Sequence, residues 1–360
     1  MCHRICIETV KMAEATVLGF SSFLFHRIVG AIPVAPEESL SNQEMRIVMN
    51  KAGRVKQYLR SVRSAVRYRF GLPAKRKLSF VEFIVRKDNT VQFCFNDVHQ
   101  NRHEATMHMI LEALKTIKYT VRKNRRIVFY TSDRPPEDPI RPVLAYSAVE
   151  GSRNVISAPD FVFWNWPDVG ISDYTQLAEE IMAAGSEEPE DDRLFWIGNV
   201  TMHPARRRLL EVAAKDSRIL ASDVTWVKAD RPEGWASDTR MDTQAANYVS
   251  LPDHCRYKYL IDVEGIGYSA RLKLLFFSGR PVFLQDRPWR EFYFDRLEPF
   301  VHYIPVAADL SDLTSRLDWA QANPGECRRI AENARNFAMK HLTREAAILY
   351  LRNAIRDVLA

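Results

Sequence analysis

The sequence predicts an α/β fold that contains a nucleotide-binding-type unit, and three observations predict it. Tyr259-Leu260-Ile261-Asp262-Val263 has the length and β-branched content of a buried strand. It runs into Gly265-Ile266-Gly267, where glycine permits a tight turn and close backbone approach. A helix-like segment then opens at Ser269 with Arg271 in its first turn, and a second apolar strand, Pro281-Val282-Phe283-Leu284, follows. Strand, glycine turn, helix and strand make half of a nucleotide-binding α/β unit. Free N–H groups at that helix start would face an anion, with Arg271 beside them. The chain has 360 residues, 46% hydrophobic and 27% charged, which suits a globular protein with two cores.

The first 77 residues read differently from the rest. Ala15 to Phe25 is apolar but too short to span a membrane, and it predicts a weak amphipathic or propeptide-like helix. Between Glu44 and Glu82 there is no acidic residue, while eleven Lys and Arg crowd residues 46–77. The whole chain carries only +6, so the remainder is mildly acidic. Val55, Leu59, Val62, Val66 and Phe70 recur at helical spacing and predict a basic amphipathic helix. Such a helix is explained equally well by a solvated cationic face packed on the body or by contact with anionic lipid or a phosphorylated acceptor. Nucleic acid is not indicated, because no aromatic-interleaved basic surface or binding motif accompanies it.

After Pro73 the pattern alternates. Leu78 to Val85 and Thr90 to Phe95 predict strands around a turn at Lys87-Asp88-Asn89. Met107 to Ile117 predicts a helix, Arg126 to Tyr130 a strand, and Thr131-Ser132-Asp133-Arg134-Pro135-Pro136 a proline-braced loop. Val143 to Ser147 reads as a strand, Phe161 to Trp166 as an aromatic stretch and Tyr174 to Ala184 as a helix. The acidic stretch Gly185 to Asp192 marks a domain boundary, and Leu194-Phe195-Trp196-Ile197-Gly198 opens the second domain. Leu313 to Ala322, Gly325 to Lys340 and Ala346 to Leu359 predict helices. The organisation is therefore a basic helical segment (1–77), a first α/β domain (78–192), a second (193–340) and a closing helix (341–360). The five cysteines are odd in number and scattered, which is no disulfide framework, and a reducing compartment is expected.

Several residues carry chemistry beside a blander role. Gly265-x-Gly267-x-x-Ala270 also fits the dinucleotide fingerprint, with Asp286 about where a ribose-binding acid would sit. An NAD-dependent oxidoreductase is therefore one alternative. Asp133 follows a strand end, where α/β proteins place sites, yet composition alone favours a turn aspartate. Trp164 and Trp166 could form an apolar platform but are more often core. His302 reads as structural. No Asp-x-Asp occurs, which disfavours chelation of a metal diphosphate.

Taken together, these blocks resemble glycosyltransferase family 90. The resemblance is carried by Asp253-His254-Cys255-x-Tyr257-Lys258-Tyr259, by Gly265 to Arg271, and by Phe292-Tyr293 with His302-Tyr303-Ile304-Pro305-Val306. Upstream, Phe163-Trp164-Asn165-Trp166-Pro167, Trp196-x-Gly198-Asn199 with Arg206, and Thr131 to Pro135 are similar to family blocks in the same order. The resemblance implies the GT-B architecture, two Rossmann-like domains facing a cleft. It implies a UDP-sugar donor, inversion at the anomeric carbon, and neither metal nor cofactor. By resemblance Asp133 is the catalytic base. Ser269 and Arg271 hold the donor diphosphate, with Gly198, Arg206, Gly265, Gly267, Tyr268 and Glu291 on the donor side and Trp164 and Trp166 on the acceptor side. The family often has Arg or Lys where this chain has Ile197, so Arg206 is the candidate to replace that contact. A catalytically inactive glycan-binding protein is the second alternative. Secretory-type disulfide partners and a retention signal are missing. The expectation is thus a cytoplasmic enzyme, peripheral at the inner face of an anionic membrane through residues 46–77, acting on a glycan or glycolipid such as lipopolysaccharide or capsule.

Overall fold

The structure is a computed structural model. It describes residues 78–86, 91–96, 100–115, 124–229 and 239–359, together with three short strands nearer the N-terminus. Those are β1 (Cys2–His3), β2 (Ile5–Ile7) and β3 (Ile47–Met49). Apart from Ile47–Met49, which pairs with β2, the basic run lies outside the described residues, as does Ala15 to Phe25.

The first sheet is mixed. β4 (Phe80–Val85) pairs antiparallel with β5 (Val91–Asn96) and with β6 (Arg125–Tyr130). β7 (Val143–Ala145) and β9 (Val155–Ser157) extend it in parallel. The hairpin register puts Val85 opposite Val91, as the Lys87-Asp88-Asn89 turn predicts. α1 (Gln100–Lys115) starts seven residues earlier than its apolar spacing indicates. It covers the sheet with Met107, Ile110 and Leu114.

The second sheet is wholly parallel. Its strands are β10 (Asp191–Gly198), β11 (Ile219–Asp223), β14 (Tyr257–Asp262), β15 (Val282–Gln285) and β17 (Ile304–Val306). Their spatial order is β11-β10-β14-β15-β17. Counted within the unit this is 2-1-3-4-5, a doubly wound order whose direction reverses between β10 and β14. The buried runs Leu194 to Ile197 and Tyr259 to Asp262 show the continuous burial that parallel strands require. β12 (Trp226–Lys228) and β13 (Thr239–Met241) form a separate hairpin.

Connections tie the two units together. α2 (Tyr174–Ala184) precedes the expected boundary, yet it packs on the second unit. There Cys255 Sγ donates to Ile181 O at 3.6 Å, and Arg280 reaches the carbonyls of Gly185 and Glu187. α3 (Pro204–Ala213), α5 (Leu313–Ala322) and α6 (Pro324–His341) belong to the second unit. α7 (Arg344–Leu359) returns to the first, burying Ala347, Leu351 and Ile355 in the cluster that holds Met107 and Ile110. A short ribbon also crosses between units: β8 (Ala148–Val149) pairs antiparallel with β16 (Trp289–Arg290). The GT-B arrangement expected from the sequence is thus present, with helices exchanged across the junction.

Candidate active site at the switch point

In open α/β sheets a ligand binds beyond the carboxyl ends of the strands where strand order reverses. Here that point lies between the end of β10, at Gly198, and the end of β14, at Asp262. Two arginines converge on it. Arg206 sits in the first turn of α3; its Nε donates to Glu264 O at 2.8 Å and its Nη1 to Asn199 O at 3.0 Å. Arg271 Nη1 donates to Ile197 O. Both guanidinium carbons lie over the Trp196 ring, at 5.6 and 5.8 Å. Burial and the neighbouring Arg271 charge push the Arg206 guanidinium down to about 10. Two cations packed this closely form a site that an anion would stabilise.

The carboxylate that organises them was not singled out from the sequence. Asp262, at 0% exposure, accepts from Ser269 Oγ at 2.7 Å and from Arg287 Nη2 at 2.6 Å, and Arg271 Nε lies 3.6 Å away. Burial alone would raise its pKa, but the two guanidinium groups beside it win and hold it below the usual carboxylate range. The signal was present: a charge inside an apolar strand must find a partner.

The glycine turn differs from expectation in its helix. α4 is a single turn, Leu272–Leu275, continued by a 3-10 turn, so Ser269 and Arg271 lie ahead of it rather than inside its start. The glycines are required by close approach. A Cβ on Gly265 would meet Arg206 Nη2 at 3.2 Å, and one on Gly198 the Trp196 ring at 2.8 Å. A Cβ on Gly267 would lie 1.9 Å from the Asp133 carbonyl oxygen. The glycine turn therefore rests directly on the loop bearing Asp133. Arg134 Nε adds a hydrogen bond to Ile266 O at 2.5 Å.

Asp133 follows β6 and remains partly exposed. Its Oδ1 pairs at 3.0 Å with Nη1 of Arg102, a residue on α1 that the sequence reading did not pick out. The same nitrogen reaches Thr131 O at 3.3 Å. The structure thus brings Asp133, Arg206, Gly265, Gly267, Ser269 and Arg271 to one place.

Other expected site residues have different surroundings. Glu291, at 3% exposure, is interior; it accepts from Tyr293 Oη at 2.9 Å, and burial pushes its carboxyl up to about 8. Tyr268 is buried edge-on to Tyr146 at 5.7 Å, joining the two units. Trp164 is not an open platform: His108 stacks on it at 5.2 Å, and the Arg344 guanidinium sits 5.0 Å from its ring centre. Trp166 packs on Phe161. Ile197 is a core residue whose carbonyl receives Arg271, and Trp196 beside it underlies both cations. Asp286, the ribose acid of the dinucleotide alternative, is 72% exposed and lies 3.7 Å from Arg290. His302 is structural as expected, accepting from Glu298 N at 3.1 Å.

The model of glycosyl transferase family 90 matches residues 84–357. Protein O-glucosyltransferase 1 of Homo sapiens is 28% identical over 273 residues, 71% of this chain and 66% of its own. The O-glucosyltransferase rumi of Drosophila melanogaster is 28% identical over 228 residues, 60% of this chain and 54% of its own. The chain thus spans under two thirds of the length of these curated relatives, 66% of the first and 54% of the second. A solved structure, Anabaena Alr3699/HepE in complex with UDP and glucose, is similar at a TM-score of 0.36 and 12% identity, over 60% of this chain and 63% of that one. With 274 of 360 residues inside the family model, the chain belongs to glycosyl transferase family 90.

Proposed function

We propose that this protein transfers a sugar from a UDP-sugar to an acceptor hydroxyl, with inversion and without a metal ion. The observation that carries the reading is the contact between the Asp133 loop and the Gly265–Gly267 turn, beside the paired Arg206 and Arg271. Asp133 accepts the proton from the acceptor hydroxyl as that oxygen attacks C1. The bond from C1 to the diphosphate oxygen breaks, and UDP departs on the opposite side. Negative charge develops on the diphosphate, where Arg206 and Arg271 oppose it. The Arg102 contact fixes the orientation of the Asp133 carboxylate.

The acceptor in this proposal is a protein hydroxyl. The relatives' names support this over the lipopolysaccharide or capsule suggested by the sequence. UDP should raise the melting temperature of the wild type with EDTA present. Asp133→Asn should keep that shift and lose transfer. Turnover near the wild-type rate in Asp133→Asn would remove the base assignment. Stabilisation by NAD alone, or glycan binding with no donor turnover, would restore one of the alternatives.

A further inference from the structure

Glu264 is a carboxylate at the switch point that takes no part in accepting the proton or in holding the diphosphate. It stands two residues past the end of β14 and is 7% exposed. Its backbone is pinned from both sides. Its O accepts from Arg206 Nε at 2.8 Å, and its N donates to Gln285 Oε1 at 2.9 Å. Its Oε2 accepts from Trp289 Nε1 at 3.1 Å. Among the described residues no donor reaches its Oε1. His203 Nδ1 lies 3.6 Å away, and that nitrogen already accepts from Ala205 N at 3.3 Å. A nearly buried acceptor is thus left one hydrogen bond short beside two cations, and buried polar groups ordinarily find partners.

The order of contacts along the glycine turn selects the partner. Gly267 abuts the Asp133 carbonyl, Gly265 abuts Arg206, and Glu264 reaches the start of α3 at His203. In the transfer reaction the sugar C1 lies at Asp133 and the diphosphate at Arg206 and Arg271. A donor laid along this turn brings its nucleoside to Glu264. A carboxylate repels phosphate oxygens and accepts from hydroxyls, and the hydroxyls of a nucleoside are those of its ribose. Asp286, the acid that sequence spacing offers for a ribose, is instead 72% exposed and lies 3.7 Å from Arg290. We propose that Glu264 Oε1 accepts a hydrogen bond from a ribose hydroxyl of the donor and makes the site selective for ribonucleotides. This rests on the transferase reading and assigns the nucleoside end of its donor.

The test measures, by calorimetry, binding of UDP, 2′-deoxy-UDP, 3′-deoxy-UDP, UDP-glucose and inorganic pyrophosphate to the wild type and to Glu264→Gln. The glutamine oxygen can still accept from Trp289 Nε1, which leaves its NH2 group in the place of Oε1. The wild type should bind at least one of the deoxy compounds about tenfold more weakly than UDP, the scale of a hydrogen bond to a charged group. In Glu264→Gln that preference should fall severalfold, because the charged acceptor is gone. Pyrophosphate has no ribose and should bind the variant at least as tightly as the wild type, since a neighbouring negative charge is removed. Its retention also shows that the variant folds with Arg206 in place. Equal wild-type affinity for UDP and both deoxy compounds, a preference unchanged in Glu264→Gln, or pyrophosphate binding lost together with UDP would overturn the proposal. So would a weakening in Glu264→Gln confined to UDP-glucose, which would give the hydroxyl to the sugar. A wild type that binds neither UDP nor pyrophosphate would instead overturn the transferase reading beneath it.

Discussion

At the scale of single residues, the site is a balance of buried charge. Three guanidinium groups, on Arg206, Arg271 and Arg287, surround one fully buried carboxylate, Asp262. Removing a donor to a charged ligand group costs about 1.5–3 kcal/mol. Arg206→Ala and Arg271→Ala are each expected to weaken UDP by about that amount, read by calorimetry, and unchanged affinity in either would remove that residue from the site. Glu291 supplies a second residue-scale prediction. Burial raises its carboxyl from 4.5 to about 8 in the fold, so the folded state keeps a proton that the unfolded chain has lost. The stability tied to Glu291 is full below about pH 4.5 and is lost progressively as pH rises to about 8. Glu291→Gln cannot titrate. The melting temperature of the wild type relative to this variant should therefore fall between pH 5 and pH 8, and a constant difference would show an ionised Glu291.

Among elements, the glycine turn and the Asp133 loop act as one piece. Gly267→Ala places a methyl group 1.9 Å from the Asp133 carbonyl oxygen, so one loop must move. Misplacing a catalytic group by about 1 Å costs on the order of 100-fold in rate. Transfer should fall by that order while UDP affinity changes less. Gly325→Ala, where a methyl group meets nothing within 4 Å, is the control and should leave both unchanged. The strands around the turn were legible because their apolar runs and glycine stops are local signals. The helix after it was read as longer than its single turn, since Ser269 faces Asp262 instead of capping. α3 and β11 were not recognised, because α3 is cationic on its exposed face and β11 is only half-buried.

For the whole molecule, one core spans both units. Phe161 and Phe163 of the first share a cluster with Leu272, Phe276 and Phe292 of the second. Within it the fully buried Lys273 pairs with Asp160 at 2.5 Å. Breaking a buried pair by removing one partner costs about 3–5 kcal/mol. Lys273→Met should lower stability on that scale, Lys273→Met/Asp160→Asn should recover much of it, and denaturant titration would measure both. A shared core also predicts one cooperative transition that moves as a unit in each variant. Two separate transitions would mean that the units fold independently.

By itself the sequence determined the α/β class, most elements from β4 to α7 and the family, and it singled out Asp133, Ser269, Arg206 and Arg271. Those readings rest on periodicity, glycine placement and short blocks, all of which are local along the chain. Only the tertiary structure decided how the participants meet. Strand order placed Arg206 beside Arg271, although 65 positions separate them in sequence. Packing turned Tyr268 and Glu291 inward, laid His108 and Arg344 against the Trp164 ring, and gave Asp133 its partner Arg102. Whether a polar or aromatic side chain is open or enclosed depends on what folds over it, and local patterns hold no record of that.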